Sequence, residues 1–467
     1  MLFNSAVFIC FFVIVYLVYI NLKSFRVQNM LLLLASYVFY GYWDWRFLSL
    51  LLASTLIDYF VALNMANSGN KKAKKKLLCV SLVFNLGMLG VFKYYNFGID
   101  SFVDMMEYFG VQVNAGSLEI ILPVGISFYT FQTISYTVDV YRGRREPTKN
   151  ILNFALYVAF FPQLVAGPIE KATTLLPQLE KKRIISTEDI KIGWMWILLG
   201  YFKKVVIADT LAPMVEQAFS HVDEVSGVVS LVAIVAFALQ IYGDFAGYTL
   251  IARGVSRLMG IKLMRNFKSP YLATSPRDFW KRWHISLSSW LMEYLYFGLG
   301  GNRLSRMKTY RNLMITMLLG GLWHGARWNF VLWGLYHGLL LVVCHLWQKR
   351  RGYKEDHIPN MVAIPLMFVF TLFGWLIFRV DSVGQMELIL MNIAQNFVWD
   401  VHVLQYLKPT VICFALIMLY HLWLDSREDE LALLKINPHL RFGVYSFVVI
   451  CILAIGFKPT VFLYFQF

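Results

Sequence analysis

The sequence predicts an all-α, polytopic integral membrane protein, and three observations predict it. First, 58% of the 467 residues are hydrophobic and only 15% are charged, where soluble globular chains run at about 45–50% apolar and about 25% charged. Mean hydropathy is +0.57. A core of ordinary size cannot hide that much apolar surface, so lipid is the solvent for most of the chain. Second, runs such as Leu2–Ile20 and Leu77–Phe92 approach the roughly 20 apolar residues that cross a bilayer as a helix. Third, the basic residues behind the net charge of +15 cluster in short loops between apolar runs. That is the positive-inside pattern, and it speaks against a nucleic-acid surface.

The first run has no basic segment before it, and Asn21-Leu22-Lys23-Ser24 is no small-x-small cleavage site, so it reads as a retained helix and not a signal peptide. Further candidate spans follow at 29–42, 46–65, 77–94, 119–140, 151–167, 192–209, 228–250, 311–325, 328–347, 361–380, 408–424 and 441–458. Ser288–Gly300 reads as a half-helix or interfacial piece. Several runs are too short to cross alone, so about 11 crossings plus re-entrant or interfacial helices are expected. The whole chain, 1–467, reads as one domain, with N-terminal helices over 1–118, a core over about 119–347 and C-terminal helices over 361–467.

The basic runs Lys71–Lys76, Arg142–Lys149, Lys181–Arg183 and Lys349–Lys354 belong on the cytoplasmic side. The stretch from Tyr95 to Glu119 carries four acids and no Lys or Arg, so it belongs outside, and the N-terminus with it. Cys10, Cys79, Cys344, Cys413 and Cys451 lie in apolar runs without metal-ligand spacing or a disulfide framework. They read as packing residues, and no metal site is expected. The chain has no phosphate loop of the GxxxxGK[ST] type and no clear internal repeat, which weighs against an inverted-repeat transporter.

One stretch sets a problem: "LLGGLWHGARWNFVLWGLYHG", Leu318–Gly338, lies in an apolar run from Leu313 to Trp347 whose only formal charge is Arg327. As one helix that run would be about 52 Å long, too long for a hydrocarbon core of about 30 Å. A break is expected around Gly320-Gly321, Gly325 and Arg327. His324 would then sit beside irregular backbone, facing a polar cavity. A second stretch, "SPRDFWKRWHISLSSWL", Ser275–Leu291, opens as a helix should, with Ser275 as cap, Pro276 at the first position and Asp278 in the first turn. Asp278 and Arg282 are spaced to pair, and His284 follows where the helix turns apolar. Imidazole suits proton transfer near neutral pH, so His324 and His284 are a candidate catalytic pair. A hydrogen-bonded packing role is the competing reading of each. His337 and His345 read as structural or cavity-lining. His221, His357, His402, His421 and His439 read as solvated.

These two stretches, "FWKRWHISLSSWL" and "LGGLWHGARWNFVLWG", resemble the membrane-bound O-acyltransferase family, in its bacterial alginate O-acetyltransferase-like branch. So do, in order, "YVFYGYWDWRFLSLLL", "LPVGISFYTFQTISYTVDVYRG", "FFPQLVAGPIEK", "QIYGDFAGYTLIARGVSRLMGI", "YLYFGLGGNR" and the tail "FLYFQF". The resemblance covers essentially the whole chain. It implies a helical bundle around a tunnel that joins the two membrane faces, with His324 the principal catalytic residue and His284 the second. It implies an O-acetyltransferase with no bound cofactor. The acetyl group would leave a cytoplasmic thioester, acetyl-CoA as donor, for a cell-surface or exported polysaccharide such as an alginate-like exopolysaccharide or peptidoglycan. The implied setting is the bacterial inner membrane, with a separate extracytoplasmic acetyltransferase or esterase-like partner and no nucleic acid. The chain departs from the family pattern at Leu250, Met292 and Gly298, and the last two bear on acceptor or partner specificity.

Within that reading, Trp323, Asn329 and the backbone at Gly320-Gly321 are candidate stabilisers of an oxyanion. Arg282, Lys281 and Arg277, with Asp278, are either holders of the donor's phosphates or plain positive-inside anchors. Two other functions stay open. One is a D-alanyl transferase for teichoic acid, with the same fold and histidines. The other is a non-enzymatic transporter of polysaccharide or lipid-linked sugar.

Overall fold

The computed structural model describes residues 1–113, 116–165, 167–351, 358–456 and 462–463, with no β-strand among them. His357, part of the Lys349–Lys354 run and most of the "FLYFQF" tail lie outside the described residues. The helices divide between two compact units.

The first unit comprises Met1–Ile190 and Val255–Met264. Its helices are α1 (Ala6–Asn21), α2 (Phe25–Asp44), α3 (Leu48–Asn67), α4 (Lys71–Leu89), α5 (Tyr95–Tyr108), α6 (Ile126–Tyr141), α7 (Ile151–Ala159), α8 (Phe161–Leu164) and α9 (Ala172–Leu179). Polar side chains inside apolar helices must find partners, and here they join three helices. Asp58 on α3 accepts from Ser81 Oγ, and from Asn85 Nδ2 at 2.8 Å, both on α4. The Asn85 carbonyl in turn accepts from Ser54 Oγ at 2.8 Å and from Thr133 Oγ1 of α6 at 3.2 Å.

The second unit comprises Lys191–Gly254 and Arg265–Phe467. It holds most of α10 (Thr187–Tyr201), a π-helical turn at Phe202–Ala208, α11 (Asp209–Ser220) and most of α12 (Gly227–Leu258). After these come α13 (Pro276–Arg282), α14 (Ile285–Trp290), α15 (Arg306–His324), α16 (Trp328–Arg351), α17 (Asn360–Arg379), α18 (Val383–Gln395), α19 (Val403–Arg427), α20 (Ala432–Lys435) and α21 (Pro438–Ile455). Both candidate histidines belong to this unit.

Among the described residues, 7 helical segments are long and apolar enough to cross a membrane. Many of their large apolar side chains are exposed, Leu34, Val83, Val343 and Leu453 among them, as lipid-facing residues must be. The Phe25–Asn67 segment has 43 residues, about twice the length that crosses a bilayer. Asp44 interrupts it, extended at φ −159° and ψ 110°.

The helices differ from the sequence expectations in several places. Lys71–Lys76 lie in the first turns of α4 and not in a loop; Asn70 caps that helix through Lys72 N–H at 2.8 Å. The acidic stretch after Tyr95 is helical to Tyr108, because α4 runs through a π-turn at Gly90–Tyr94 into α5. Helix α12 extends past residue 250 to Leu258. Its charged end is paired, Arg253 with Glu430 at 2.5 Å and Arg257 with Asp189 at 2.6 Å. No candidate span covers helix α18; its 13 residues mix Gln, Glu and Asn with the apolar ones, which dilutes the hydropathy signal.

Candidate active site

Helices α15 and α16 form a hairpin that turns at residues 325–327. The break therefore falls at Gly325–Arg327, and Gly320-Gly321 lie inside α15. Their role is close packing. A Cβ on Gly321 would stand 2.1 Å from Phe330 O and 3.1 Å from Gly334 Cα, and one on Gly334 would stand 2.4 Å from Met317 O. Small residues let the two backbones touch where lipid gives no hydrophobic drive for association. Helix-interior N–H groups are committed to the helix, which removes the Gly320-Gly321 backbone as an oxyanion donor.

His324 is the last residue of α15 and is buried. Its ring meets Trp323 and Trp333 at 5.1 Å each and Phe378 of α17 at 5.4 Å between centroids. The surroundings are thus an aromatic cage, where the sequence suggested a polar cavity. Arg327, beside it in sequence, is turned outward and pairs with Asp381 at 2.7 Å. The Asn329 amide donates to Phe378 O at 3.2 Å and Val380 O at 2.9 Å. It fastens the hairpin to the end of α17, so the expected oxyanion role does not fit.

The Ser275–Leu291 stretch begins as expected. Ser275 Oγ accepts from Asp278 N–H at 3.1 Å, and Asp278 pairs with Arg282 at 2.9 Å. It is not one helix. The chain breaks between α13 and α14 at His284, whose φ of 43° is left-handed. Such a conformation costs free energy for a side chain with a Cβ and recurs at functional sites. The break is held by Lys268 N–H to Arg282 O and Ile285 N–H to Asn266 O, both at 2.9 Å.

Asn266 then fixes the ring of His284. Its Oδ1 accepts from His284 Nδ1 at 3.2 Å, from Ser286 N–H at 3.1 Å and from Ser286 Oγ at 2.9 Å. An amide oxygen only accepts, so the imidazole proton is assigned to Nδ1 and the lone pair to Nε2. His284 is fully buried, with Phe245 at 4.7 Å edge-on.

The two histidines, 40 positions apart in sequence, meet in space. Their ring centroids are 6.4 Å apart, and Trp323 contacts both, at 5.9 Å from His284. The basic residues of α13 do not join them. Arg282 is held between Asp278 and Asp425, the latter at 3.0 Å, so it is an anchor of α13 and α19. Lys281 and Arg277 are exposed. His337 is buried among rings, 4.6 Å from Trp333 and 5.9 Å from Phe279. His345 is exposed against Tyr310. His421, expected to be solvated, is fully buried and bonds Tyr242 OH at 2.7 Å. His221, His402 and His439 are exposed.

Comparison with known proteins names the class. The model of the membrane-bound O-acyltransferase family matches residues 147–384, a span that contains both histidines. The chain belongs to that family. A protein named "Probable alginate O-acetylase AlgI" from Azotobacter vinelandii is 42% identical over 387 residues, covering 82% of this chain and 76% of its own length. The peptidoglycan O-acetyltransferase of Helicobacter pylori is 32% identical over 526 aligned positions, covering 100% and 98%. The teichoic acid D-alanyltransferase of Bacillus subtilis is 29% identical over 273, covering 55% and 68%. The chain is thus a membrane-bound O-acyltransferase, an enzyme with O-acetyltransferases among its relatives.

In a membrane-bound O-acyltransferase with this geometry, Asn266 has the position of an orienting residue for His284. Asn266→Ala is expected to lower kcat about 10–100-fold, the equivalent of losing a buried hydrogen-bond partner, with KM for the donor unchanged. Asn266→Asp keeps the acceptor and adds a negative charge, which favours the protonated imidazole. Its pH–rate profile should therefore rise at higher pH than that of the wild type. A residue that only braces the loop would lower the yield of folded protein in both variants and leave the profile in place.

Proposed function

We propose that this enzyme passes an acetyl group from cytoplasmic acetyl-CoA, through a tunnel in one catalytic domain, to an acceptor hydroxyl on the outer side of the bacterial inner membrane. The observation that carries the reading is the meeting of His284 and His324, 6.4 Å between rings, in a chain of this family. The acceptor is a cell-surface or exported polysaccharide, in keeping with the names of the relatives at 42% and 32% identity. The D-alanyl relative matches less of the chain and at lower identity, which favours acetyl over D-alanyl. The topology has about 11 crossings with the N-terminus outside, given the positive-inside loops. A separate extracytoplasmic transferase or esterase-like protein completes delivery to the polymer.

In this mechanism His324 removes the proton as the acceptor oxygen adds to the thioester carbonyl carbon. The C–O bond forms, the tetrahedral intermediate collapses, the C–S bond breaks, and the proton ends on the departing thiolate. His284, oriented through Asn266 so that Nε2 is the accepting nitrogen, completes the proton path that His324 begins. The aromatic walls exclude water, which would otherwise hydrolyse the thioester.

The test is made in cells. Mild base releases ester-bound acetyl from each surface polymer in wild type, His324→Ala and His284→Ala strains at matched protein level. One polymer is expected to lose its acetyl in both variants. If all polymers keep their acetyl while one fails to reach the surface, the protein moves polymer and does not acetylate it.

A further inference from the structure

We infer that the second unit carries a binding site for an anionic phospholipid, built on the π-turn that follows α10. A cavity of about 330 Å³ lies among Leu199, Phe202, Ile207, Ile417, Trp423 and Val448, on α10, the π-turn, α19 and α21, with Lys203 and Tyr242 in its wall. A smaller cavity of about 30 Å³ shares Lys203, Tyr242 and Tyr420 with it and adds Arg253, Arg265, Asn266, His421 and Glu430. One compartment is apolar and at the lower end of the usual ligand-site range, about 300–1,000 Å³. The other is cationic and holds roughly two water-sized groups, which suits the two non-bridging oxygens of a phosphodiester.

Lys203 stands where the compartments meet. Its Nζ donates to Tyr242 OH at 3.0 Å and lies over the rings of Tyr242 and Tyr420, 5.0 and 5.1 Å from their centroids. Among the described residues no carboxylate lies within ion-pair distance of it. Three cations face one carboxylate in the small cavity, since Glu430 pairs with both Arg253, at 2.5 Å, and Arg265, at 3.5 Å. The neutral groups are also donors. Lys203 Nζ donates a hydrogen bond to the Tyr242 hydroxyl oxygen; with the hydroxyl hydrogen assigned toward His421 Nε2, His421 carries its hydrogen on Nδ1. That Nδ1 and Asn266 Nδ2 are buried and find no hydrogen-bond acceptor among the described residues. A buried donor without an acceptor is costly, and here the donors share one cavity with excess positive charge. An oxyanion satisfies all of them.

Two anions have the right head: a phospholipid, and the phosphate-bearing thioester donor. The apolar compartment decides for the lipid. A two-carbon acyl group fills only a small part of the apolar compartment of about 330 Å³, whereas an alkyl chain fills it. Leu440 and Phe447, which line that compartment, are exposed on the surface of a candidate membrane span, so a bilayer lipid can reach it sideways. Asn266 belongs both to the head cavity and to His284, so occupancy should steady the histidine. That last consequence rests on the acyltransferase reading; the binding itself does not.

The experiment uses the full-length protein, purified in detergent and analysed by native mass spectrometry after incubation with phosphatidylglycerol or phosphatidylcholine. Wild type is expected to retain phosphatidylglycerol at least about tenfold better, and Lys203→Gln with Arg265→Gln to abolish the preference. Leu440→Trp, which changes only the apolar mouth, should weaken retention of both lipids. Equal retention of the two lipids by wild type, or an unchanged preference in the double variant, overturns the site. So does displacement of phosphatidylglycerol by acetyl-CoA at saturating concentration, which would assign the cations to the donor. Retention is read without any acetyl transfer, so its failure and the failure of the enzymatic reading are separate results.

Discussion

His324→Ala is expected to lower the rate of acetyl transfer by about 10²–10⁴-fold, the usual loss when a general base is removed, with donor binding nearly unchanged. The residue ends α15 immediately before the only turn of the hairpin, and its ring is clamped by Trp323, Trp333 and Phe378. Alanine would leave a hole in that cage, so a second variant is needed. His324→Gln fills most of the space and can still hydrogen-bond, but cannot take a proton near neutral pH. If both variants lose the rate while keeping the thermal midpoint of wild type within a few degrees, the loss is chemical. A Gln variant with near-wild-type turnover would make the histidine a packing residue. Rates from labelled acetyl-CoA, set against donor affinity by titration, make the distinction.

Lys204→Met is expected to unfold much of the second unit. Lys204 lies on the π-turn with its ammonium between two carboxylates, 2.8 Å from Asp209 and 2.6 Å from Asp244, and all three side chains are nearly inaccessible. Leu463 N–H also donates to Asp244, at 2.6 Å. Removing the cation leaves two buried like charges, a loss of about 3–5 kcal/mol for a broken buried pair. The measurement is the midpoint of thermal denaturation in detergent. The triple variant Lys204→Met, Asp209→Leu, Asp244→Leu removes the charges together, and such replacements are often neutral or stabilising. It should recover most of the midpoint. If the triple variant is no better than the single one, the triad does not act through its charge.

Much of the site was legible because its chemistry sits in short, odd stretches. A histidine in an apolar run is conspicuous, and both "WHIS" and "LWHG" stood out on that ground. That the two rings meet was not legible from periodicity, because 40 positions of chain separate them. Glycine was ambiguous: it breaks a helix or lets two helices touch, and Gly320-Gly321 do the second while Gly325 does the first. The pattern runs on apolar through Leu291, which hides the break at His284; the left-handed turn there depends on Asn266, a loop residue with no sequence signal. Nearness to a span end predicts a solvated His421, yet Tyr242 from α12 draws it inward. The Arg282 anchor was half legible. Its i,i+4 partner Asp278 could be read from spacing, whereas Asp425, 143 positions away, could not.

The central claim is that acetyl crosses the membrane by way of His324. It is tested most directly with purified protein in sealed proteoliposomes, labelled acetyl-CoA supplied on the face that bears the basic loops, and the polysaccharide acceptor trapped on the other together with the extracytoplasmic transferase or esterase-like protein that completes delivery. Label is expected to reach the acceptor with wild type and to stay on the donor with His324→Gln. Label reaching the trapped acceptor equally fast with His324→Gln would contradict the account.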